Sequence, residues 1–413
     1  MGKSNGALRN KSILISGASA AGPTLAYWLQ RYGFTPTVVE RHPTLRPGGY
    51  AIDVRGTAIG VAKQMGIWDD IRRADTHLRE LLFHDVNHNV VATMDPNFGA
   101  GPGKAGDIEL LRDDLAVILY GLTRNSVEYM FSNSIRTIEQ DEEGVHVTFE
   151  GGQQRRFDLV VGADGAHSNV RNLVCGPESN FSYFLGRYIC VFTIPNYLDL
   201  DRLWVWHMRP DVIAGIMQYG LNQHTRAIFM LNGPQRSFPN HDTAQQKAIV
   251  RGMLKDHMVW EIPRMLEEMD KATDFYFDIA VQIKMDSWSK GRVALLGDAG
   301  WSPTPFTGQG TSTAMVGAYV LAGELAAARG DYRTAFARYD AELRPFVKQN
   351  QDIAVNAKET EIPTSWPEVD KQHELLKALK AAPSGEIPKG SLVDVIQSAA
   401  NAYTLKSYEQ FLV

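Results

Sequence analysis

Two glycine-rich hexapeptides in this chain could seat a phosphate: residues 17–22 read GASAAG and residues 101–106 read GPGKAG. The second is a literal G-x-G-x-x-G, whereas the first carries Ser19 at the middle glycine position. Such a loop acts through its backbone. A strand feeds a tight turn that opens a helix, whose free N–H groups and positive dipole end then hold a pyrophosphate. The flanking residues, not the pattern, decide between the two.

Ser12-Ile13-Leu14-Ile15-Ser16 reads as a short buried strand before GASAAG, and residues 23–29 are apolar at helical spacing up to Gly33. Thr37-Val38-Val39-Glu40 reads as a second strand ending in an acid. Glu40 falls roughly 20 residues past the first glycine, where a carboxylate grips a ribose diol. GPGKAG lacks this setting. A turn, Asp95-Pro96-Asn97-Phe98, precedes it, Pro102 lies inside it, and residues 107–111 look like a strand rather than a helix. Lys104 is followed by Ala105, so it also fails as a phosphate loop of the Gly-Lys-Ser/Thr kind. The imperfect motif is expected to be the nucleotide site, and the perfect one a flexible loop.

Two further stretches join it. Residues 158–171, DLVVGADGAHSNVR, form a buried strand that turns at Gly162-Ala163-Asp164-Gly165 into a short helix ending near Arg171. Residues 292–310, RVALLGDAGWSPTPFTGQG, form a strand ending at Gly297-Asp298, a proline-containing loop, and Gly308-Gln309-Gly310 before an apolar helix over 313–328. Gly308–Gly310 open that helix, so their N–H groups lie at its positive dipole end.

Together these three ordered motifs resemble those of the FAD-dependent aromatic hydroxylases, the single-component flavoprotein monooxygenases, over most of residues 12–350. The resemblance implies an α/β fold: a Rossmann-like FAD-binding domain with an inserted antiparallel-sheet substrate domain and a C-terminal helix. It implies that Gly17, Ser19 and Gly22 line the FAD pyrophosphate, Glu40 holds the adenosine ribose and Asp298 the ribitol chain. Asp164 belongs to a motif used for both FAD and the nicotinamide nucleotide, and Arg112, in LLRDDL, approaches the flavin side of FAD. Ala18, Ala21, Arg41, Asp53, Pro305, Gly308 and Gly310 complete the expected cofactor-binding set. No second glycine unit serves NADPH or NADH, which in this family visits as a transient co-substrate alongside O2. The implied reaction hydroxylates an electron-rich enol or phenol carbon through C4a-hydroperoxyflavin. The flavin carries that chemistry, so no side chain is assigned as catalytic, and no metal is expected. Three residues depart from the family pattern: Trp301 stands where His is usual, Ser312 where Asn is, and Gly317 where Asp is common.

The elements that must position these groups divide the chain. Residues 1–178 with 276–360 are expected to form the FAD-binding domain, 179–275 the substrate domain, and 366–413 a C-terminal helical segment. Alternating runs at 188–192, 213–219 and 226–231 read as antiparallel strands, and amphipathic helices follow over 242–256 and 261–271. Met217, Tyr219, Phe229 and Phe306 are the expected substrate contacts, with Pro303 and Pro305 stiffening the loop beside the flavin. Trp204 and Trp206, two apart, share one strand face and are read as packing. A linker over 360–367 leads to a helix over 366–382 and a last helix near 392–403. The whole tail is expected to gate a bulky substrate rather than to hold the fold.

Composition bounds the rest. The chain of 413 residues is long enough for two domains, and 44% hydrophobic with 22% charged residues is a globular composition. A net charge of −5 argues against nucleic acid. Cys175 and Cys190 are too few for a disulfide framework or a zinc site and read as reduced core thiols. No signal sequence or membrane span is read, so a cytoplasmic monomer acting on a small molecule is expected. Within the hydroxylases, FTIPNYL (192–198), IKMDSW (283–288), 316–325 and 339–347 are similar to the tetracycline destructases. That resemblance implies inactivation of tetracycline-type antibiotics. The alternatives are a hydroxylase of another phenol or polyketide, or a flavin-binding protein that does not oxygenate.

Overall fold

A computed structural model describes residues 8–46, 50–95, 107–220, 224–236, 242–356, 362–381, 389 and 391–413. Its first large sheet has the strand order Ser289–Lys290, Val293–Leu295, Leu159–Gly162, Ser12–Ser16, Thr35–Val39, Glu128–Met130. All pairs are parallel except the first. Parallel strands are covered on both faces, which is why they read as unbroken apolar runs; Ile13, Leu14, Ile15, Val160 and Val161 are all fully buried. Helix Ala21–Arg31 links the first two strands in sequence, and helix Gly310–Ala327 packs against it. Residues 312–326 of that second helix are all buried. The Ser12–Ser16 strand matches its sequence reading, and the helix expected over 313–328 starts three residues earlier, at Gly310.

The second large sheet has seven strands in the order Tyr276–Ile283, Ser182–Ile194, His224–Asn232, Val212–Tyr219, Leu203–Arg209, Glu80–His84, Val90–Met94. The boundaries expected at 178 and 275 do not divide the sheets. One edge strand comes from beyond residue 275, and a hairpin at the other edge comes from residues 80–94. The hairpin is hard to read from sequence because its strands are five residues each and carry short apolar runs, Leu81-Leu82-Phe83 and Val90-Val91-Ala92, in place of apolar–polar alternation. A two-stranded ribbon, Ala51–Val54 with Ile108–Leu111, lies between the large sheets, and a three-stranded sheet of 135–157 lies to the side.

The faces of the seven-stranded sheet do different work. One packs Cys190, Phe192, Ala214, Ile216 and Phe229 against helices Thr243–Leu254 and Ile262–Lys271. The other packs Ile189, Trp206, Met217, Tyr219 and Ile228 against Tyr50, Ala51, Leu111 and Phe306 of the cofactor side.

The C-terminal segment divides in two. Helix Trp366–Ala381 lies on strands Val90–Met94 and Leu203–Arg209, with Val369 and Leu376 in the second of those apolar clusters. Residues 391–413, including helix Leu392–Ala400, lie instead along the FAD-binding half. Tyr319 OH donates to Lys406 O at 2.6 Å and Thr57 Oγ1 to Tyr403 O at 2.6 Å. The tail is therefore not one gating unit, as the sequence suggested. Part of the linker over 360–367, and all of GPGKAG, lie outside the described residues.

Candidate cofactor and substrate site

The three motif loops follow the C-terminal ends of the parallel strands Ser12–Ser16, Leu159–Gly162 and Val293–Leu295, where open α/β sheets bind ligands. They touch one another through glycine. Gly17 has φ +110°, and a Cβ there would lie 2.3 Å from the Ala163 carbonyl oxygen. A Cβ at Gly22 would lie 1.9 Å from the Gly17 carbonyl oxygen. Only glycine lets the helix start, its own turn and the Asp164 turn approach so closely. No side chain caps helix Ala21–Arg31 and no acid sits in its first turn, so its N-terminal dipole is left for a ligand. Ser19, half-buried in the turn, adds no bulk that blocks this approach.

Glu40 follows strand Thr35–Val39, and its carboxylate takes the Ala18 N–H and the His42 N–H, both at 2.9 Å. It thus clamps the loop that it was expected to face across a ribose. Arg41 stands exposed beside it.

Asp164 is turned inward. It accepts hydrogen bonds from Ser168 Oγ at 2.5 Å, Val170 N at 3.1 Å and Ser16 Oγ at 3.3 Å, and burial raises its carboxyl above the usual range. These bonds tie two of the motif turns together.

Asp298 opens a four-residue helix beside the start of Gly310–Ala327; a Cβ at Gly310 would lie 3.6 Å from its carboxylate. Burial, and then the Asp278 charge, push its carboxyl up to about 6. Two neighbours that the sequence reading missed complete this side. Tyr50, whose hydroxyl is raised to about 12 by burial and Asp298, accepts the Arg112 N–H through its carbonyl at 3.4 Å. Tyr276 donates to Asp278 Oδ2 at 2.9 Å, and the Tyr50 and Tyr276 rings lie 5.5 Å apart. Arg112 itself opens helix Arg112–Thr123, with Nη2 3.4 Å from the Arg46 carbonyl. Burial and the Arg46 charge lower its pKa.

Asp53 lies on strand Ala51–Val54, where a Cβ at Gly308 would sit 3.1 Å from its Oδ2. Pro305 opens the short turn 305–307 that delivers Gly308 at φ +64°. Helix Gly310–Ala327 also lacks a side-chain cap, and both amide atoms of the fully buried Gln309 have no hydrogen-bond partner. Buried polar atoms need partners. Two uncapped helix starts, a glycine-lined turn and buried polar groups held ready between them fit an FAD.

The three departures from the family pattern have local explanations. A Cβ at Gly317 would lie 2.9 Å from the Trp301 ring, which packs 4.4 Å from Trp288 and 5.8 Å from Tyr339 between centroids. Trp301 and Gly317 are thus one exchange of volume inside the core. Ser312 Oγ donates to the Asp53 carbonyl at 3.1 Å and accepts the Arg55 N–H at 3.0 Å, joining the ribbon to the helix.

On the substrate side, Met217, Tyr219 and Phe306 share one apolar cluster with Trp204 and Trp206. Tyr219 and Trp204 rings are 5.9 Å apart and edge-on. Phe229 does not join them. It faces Ala214 in the strand register and belongs to the opposite cluster under the two helices. Strand alternation put it one residue out of phase with Ile228 and Met230, so it is no substrate contact.

Among the described residues, no helix is long and apolar enough to cross a membrane, and no three His, Cys, Asp or Glu side chains are grouped to hold a metal. The family described as FAD binding domain matches residues 10–354. An uncharacterized protein of Mycobacterium tuberculosis is 48% identical over 343 residues, 83% of this chain and 92% of that protein. A flavin-dependent monooxygenase of Legionella longbeachae is 38% identical over 402 residues, 97% of this chain and 99% of its own. The crystal structure of tetracycline destructase Tet(55) is similar with a TM-score of 0.82 at 36% identity, covering 97% of this chain and 99% of its own.

Proposed function

The chain belongs to the flavin-dependent monooxygenases built on the FAD binding domain, and from that premise we propose that it hydroxylates an electron-rich enol or phenol carbon of a flat polycyclic substrate of the tetracycline type. The observation that carries this reading is the face of the seven-stranded sheet turned toward the cofactor loops. Trp204, Trp206, Met217 and Tyr219 offer it an aromatic, apolar surface, and helix Trp366–Ala381 lies over strands Val90–Met94 and Leu203–Arg209. The similarity to a tetracycline destructase supports the same substrate class.

The overall change balances as substrate C–H plus O2, NAD(P)H and a proton giving C–OH, water and NAD(P)+. Bound FAD supplies the electron transfer and oxygen activation. The loop from Gly17 to Gly22 would hold its pyrophosphate, Glu40 its adenosine ribose and Asp298 its ribitol chain. The start of helix Gly310–Ala327 would offer its positive dipole end to the reduced ring. Asp53, Pro305 and Phe306 would set the turn beside it. The aromatic sheet face orients the substrate through ring contacts. Together with the overlying helix, it keeps water out of a site where water would divert the oxidant.

Purified protein loaded with FAD should oxidise NADPH or NADH faster when a tetracycline is added, and the product should gain one oxygen by mass. Stimulation by simple phenols but by no tetracycline would contradict the substrate class. Stimulation by neither, with FAD bound, would contradict the reaction.

A further inference from the structure

Residues 391–413 reach the cofactor loops by a line of polar side chains as well as by packing. Gln397, on helix Leu392–Ala400, donates Nε2–H to Asp107 Oδ2 at 2.5 Å, although 290 residues separate the two in sequence. Asp107 also accepts the Gly56 N–H at 3.4 Å. Arg55 stands between two carboxylates. Its Nη2 lies 2.6 Å from Asp53 Oδ1, and its Nε, which has no hydrogen-bond partner, lies 3.8 Å from Asp107 Oδ2. Asp53 in turn faces Gly308, and Ser312 fixes the backbone on both sides of this pair. The line Gln397–Asp107–Arg55–Asp53 ends at the turn that opens helix Gly310–Ala327.

Packing holds the first member of this line in place. Gly56 has φ +51°, and a Cβ there would lie 2.4 Å from the Ala400 carbonyl oxygen; a Cβ at Gly60 would lie 2.7 Å from Leu405. The backbone next to Arg55 and the end of the Gln397 helix are therefore in contact. The arrangement is also asymmetric. Arg55 is bonded to Asp53 and merely near Asp107, whose oxygen is occupied by the Gln397 amide. Without that amide, Asp107 becomes a free competitor for the same guanidinium.

We infer that Gln397 is a positioning residue for FAD: by occupying Asp107 it leaves Arg55 to Asp53, and so fixes the charge that borders the Gly308 turn. This rests on the reading that Asp53 and Gly308 border FAD. Loss of the amide draws Arg55 toward Asp107 and leaves Asp53 negative and less compensated. A less compensated anion weakens the binding of an anionic cofactor and makes its reduction harder.

The test uses the full chain, stripped of FAD and titrated back, with flavin affinity and midpoint potential as readouts. Gln397→Met keeps length and packing and removes the amide. It should weaken FAD binding by about fivefold, the size of one ordinary hydrogen bond, and shift the flavin potential negative. Adding Asp107→Asn to it should restore both, since the competitor is then neutral. Tyr408→Phe, which cuts a different anchor of the same segment at Glu324 (2.7 Å), should lower the melting temperature and leave affinity and potential alone. Should Gln397→Met fail to fold, Gln397→Leu read with and without Asp107→Asn gives the same contrast. No change in Gln397→Met, or no recovery in the double variant, overturns the inference. Asp53→Asn separates this from the underlying reading. If it changes FAD affinity while Gln397→Met does not, only the inference fails. If neither changes it, Asp53 does not border FAD and both fail.

Discussion

The two halves of the C-terminal segment are close in sequence and opposite in attachment. Helix Trp366–Ala381 is held to the seven-stranded sheet. Its entry is pinned by Asp211 N to Pro363 O at 2.6 Å and Asn232 Nδ2 to Ile362 O at 3.0 Å, and Val369 of the helix is sunk to 2% exposure. Residues 391–413 are woven into the FAD-binding half. Tyr408 OH donates to Glu324 Oε1 at 2.7 Å, Lys406 lies 2.6 Å from Glu342, and Val413 N donates to Arg31 O at 3.1 Å. The first half covers a face; the second completes a core. A segment's position after the last motif says little about which of these it does.

Removing residues 391–413 should have the largest effect. It strips Tyr408 and Lys406 from Glu324, a carboxylate only 3% exposed, and leaves it only Arg338 at 4.0 Å; breaking a buried charge arrangement of this kind costs about 3–5 kcal/mol. The truncated chain should be insoluble or free of flavin on purification; a soluble, yellow product would erase the distinction between the halves.

Asp298→Asn gives the measure of a pure cofactor effect. It should lose over tenfold in FAD affinity, the equivalent of roughly 1.5–3 kcal/mol for a charge-assisted hydrogen bond, while both halves of the tail stay docked. Its pH signature has a fixed sign. The folded carboxyl is raised to about 6, so burial destabilises the FAD-free protein above pH 6, and the penalty fades as pH falls through 6 toward the unfolded value. The variant should therefore melt higher than the parent at pH 7–8, by the equivalent of on the order of 2–3 kcal/mol, and not at pH 4. Equal melting at pH 8 would mean that the group is not desolvated.

Gly323→Ala probes the groove of the second half. The new Cβ would lie 2.3 Å from the Tyr408 ring, and overpacking of this kind costs about 1–3 kcal/mol. Thermal melting of the FAD-free protein reads it, and an unchanged melting temperature would mean that the segment is not seated there. Lys104→Ala, in the literal glycine motif, should do nothing measurable to FAD affinity. A loss matching that of Asp298→Asn would mean that the wrong glycine loop had been chosen.

What could be read from the chain followed what was local. Strand, glycine turn and helix start are contiguous at Gly17–Gly22, at Gly162–Gly165 and at Gly297–Gly310, so these three turns are legible in the sequence, whereas GPGKAG lies outside the described residues. Alternation showed that the strand carrying Phe229 has two faces but not which one meets the cofactor, because that depends on what packs beneath. The split of the tail was hidden for a similar reason. Residues 401–413 have no helical or strand period, and part of what seats them is an absence of side chain: Gly60 and Gly323, on two distant segments, make room for Leu405 and Tyr408. Trp301 and Gly317 looked like two unrelated departures until one ring was seen to fill the other's space.

The central claim, that FAD is held by the three loops while the aromatic sheet face and the first half of the tail seat the substrate, is tested most directly by the double variant Val369→Asp, Leu376→Asp. Burying carboxylates in that apolar contact should lift helix Trp366–Ala381 from the sheet. Substrate-stimulated NADPH oxidation, titrated with a tetracycline, should then show KM raised about tenfold or more, the equivalent of ~1.4 kcal/mol of lost binding. FAD content and unstimulated NADPH oxidation should stay as in the parent. Loss of FAD with KM unchanged for the remaining holoenzyme would contradict the account, placing that helix with the cofactor rather than the substrate.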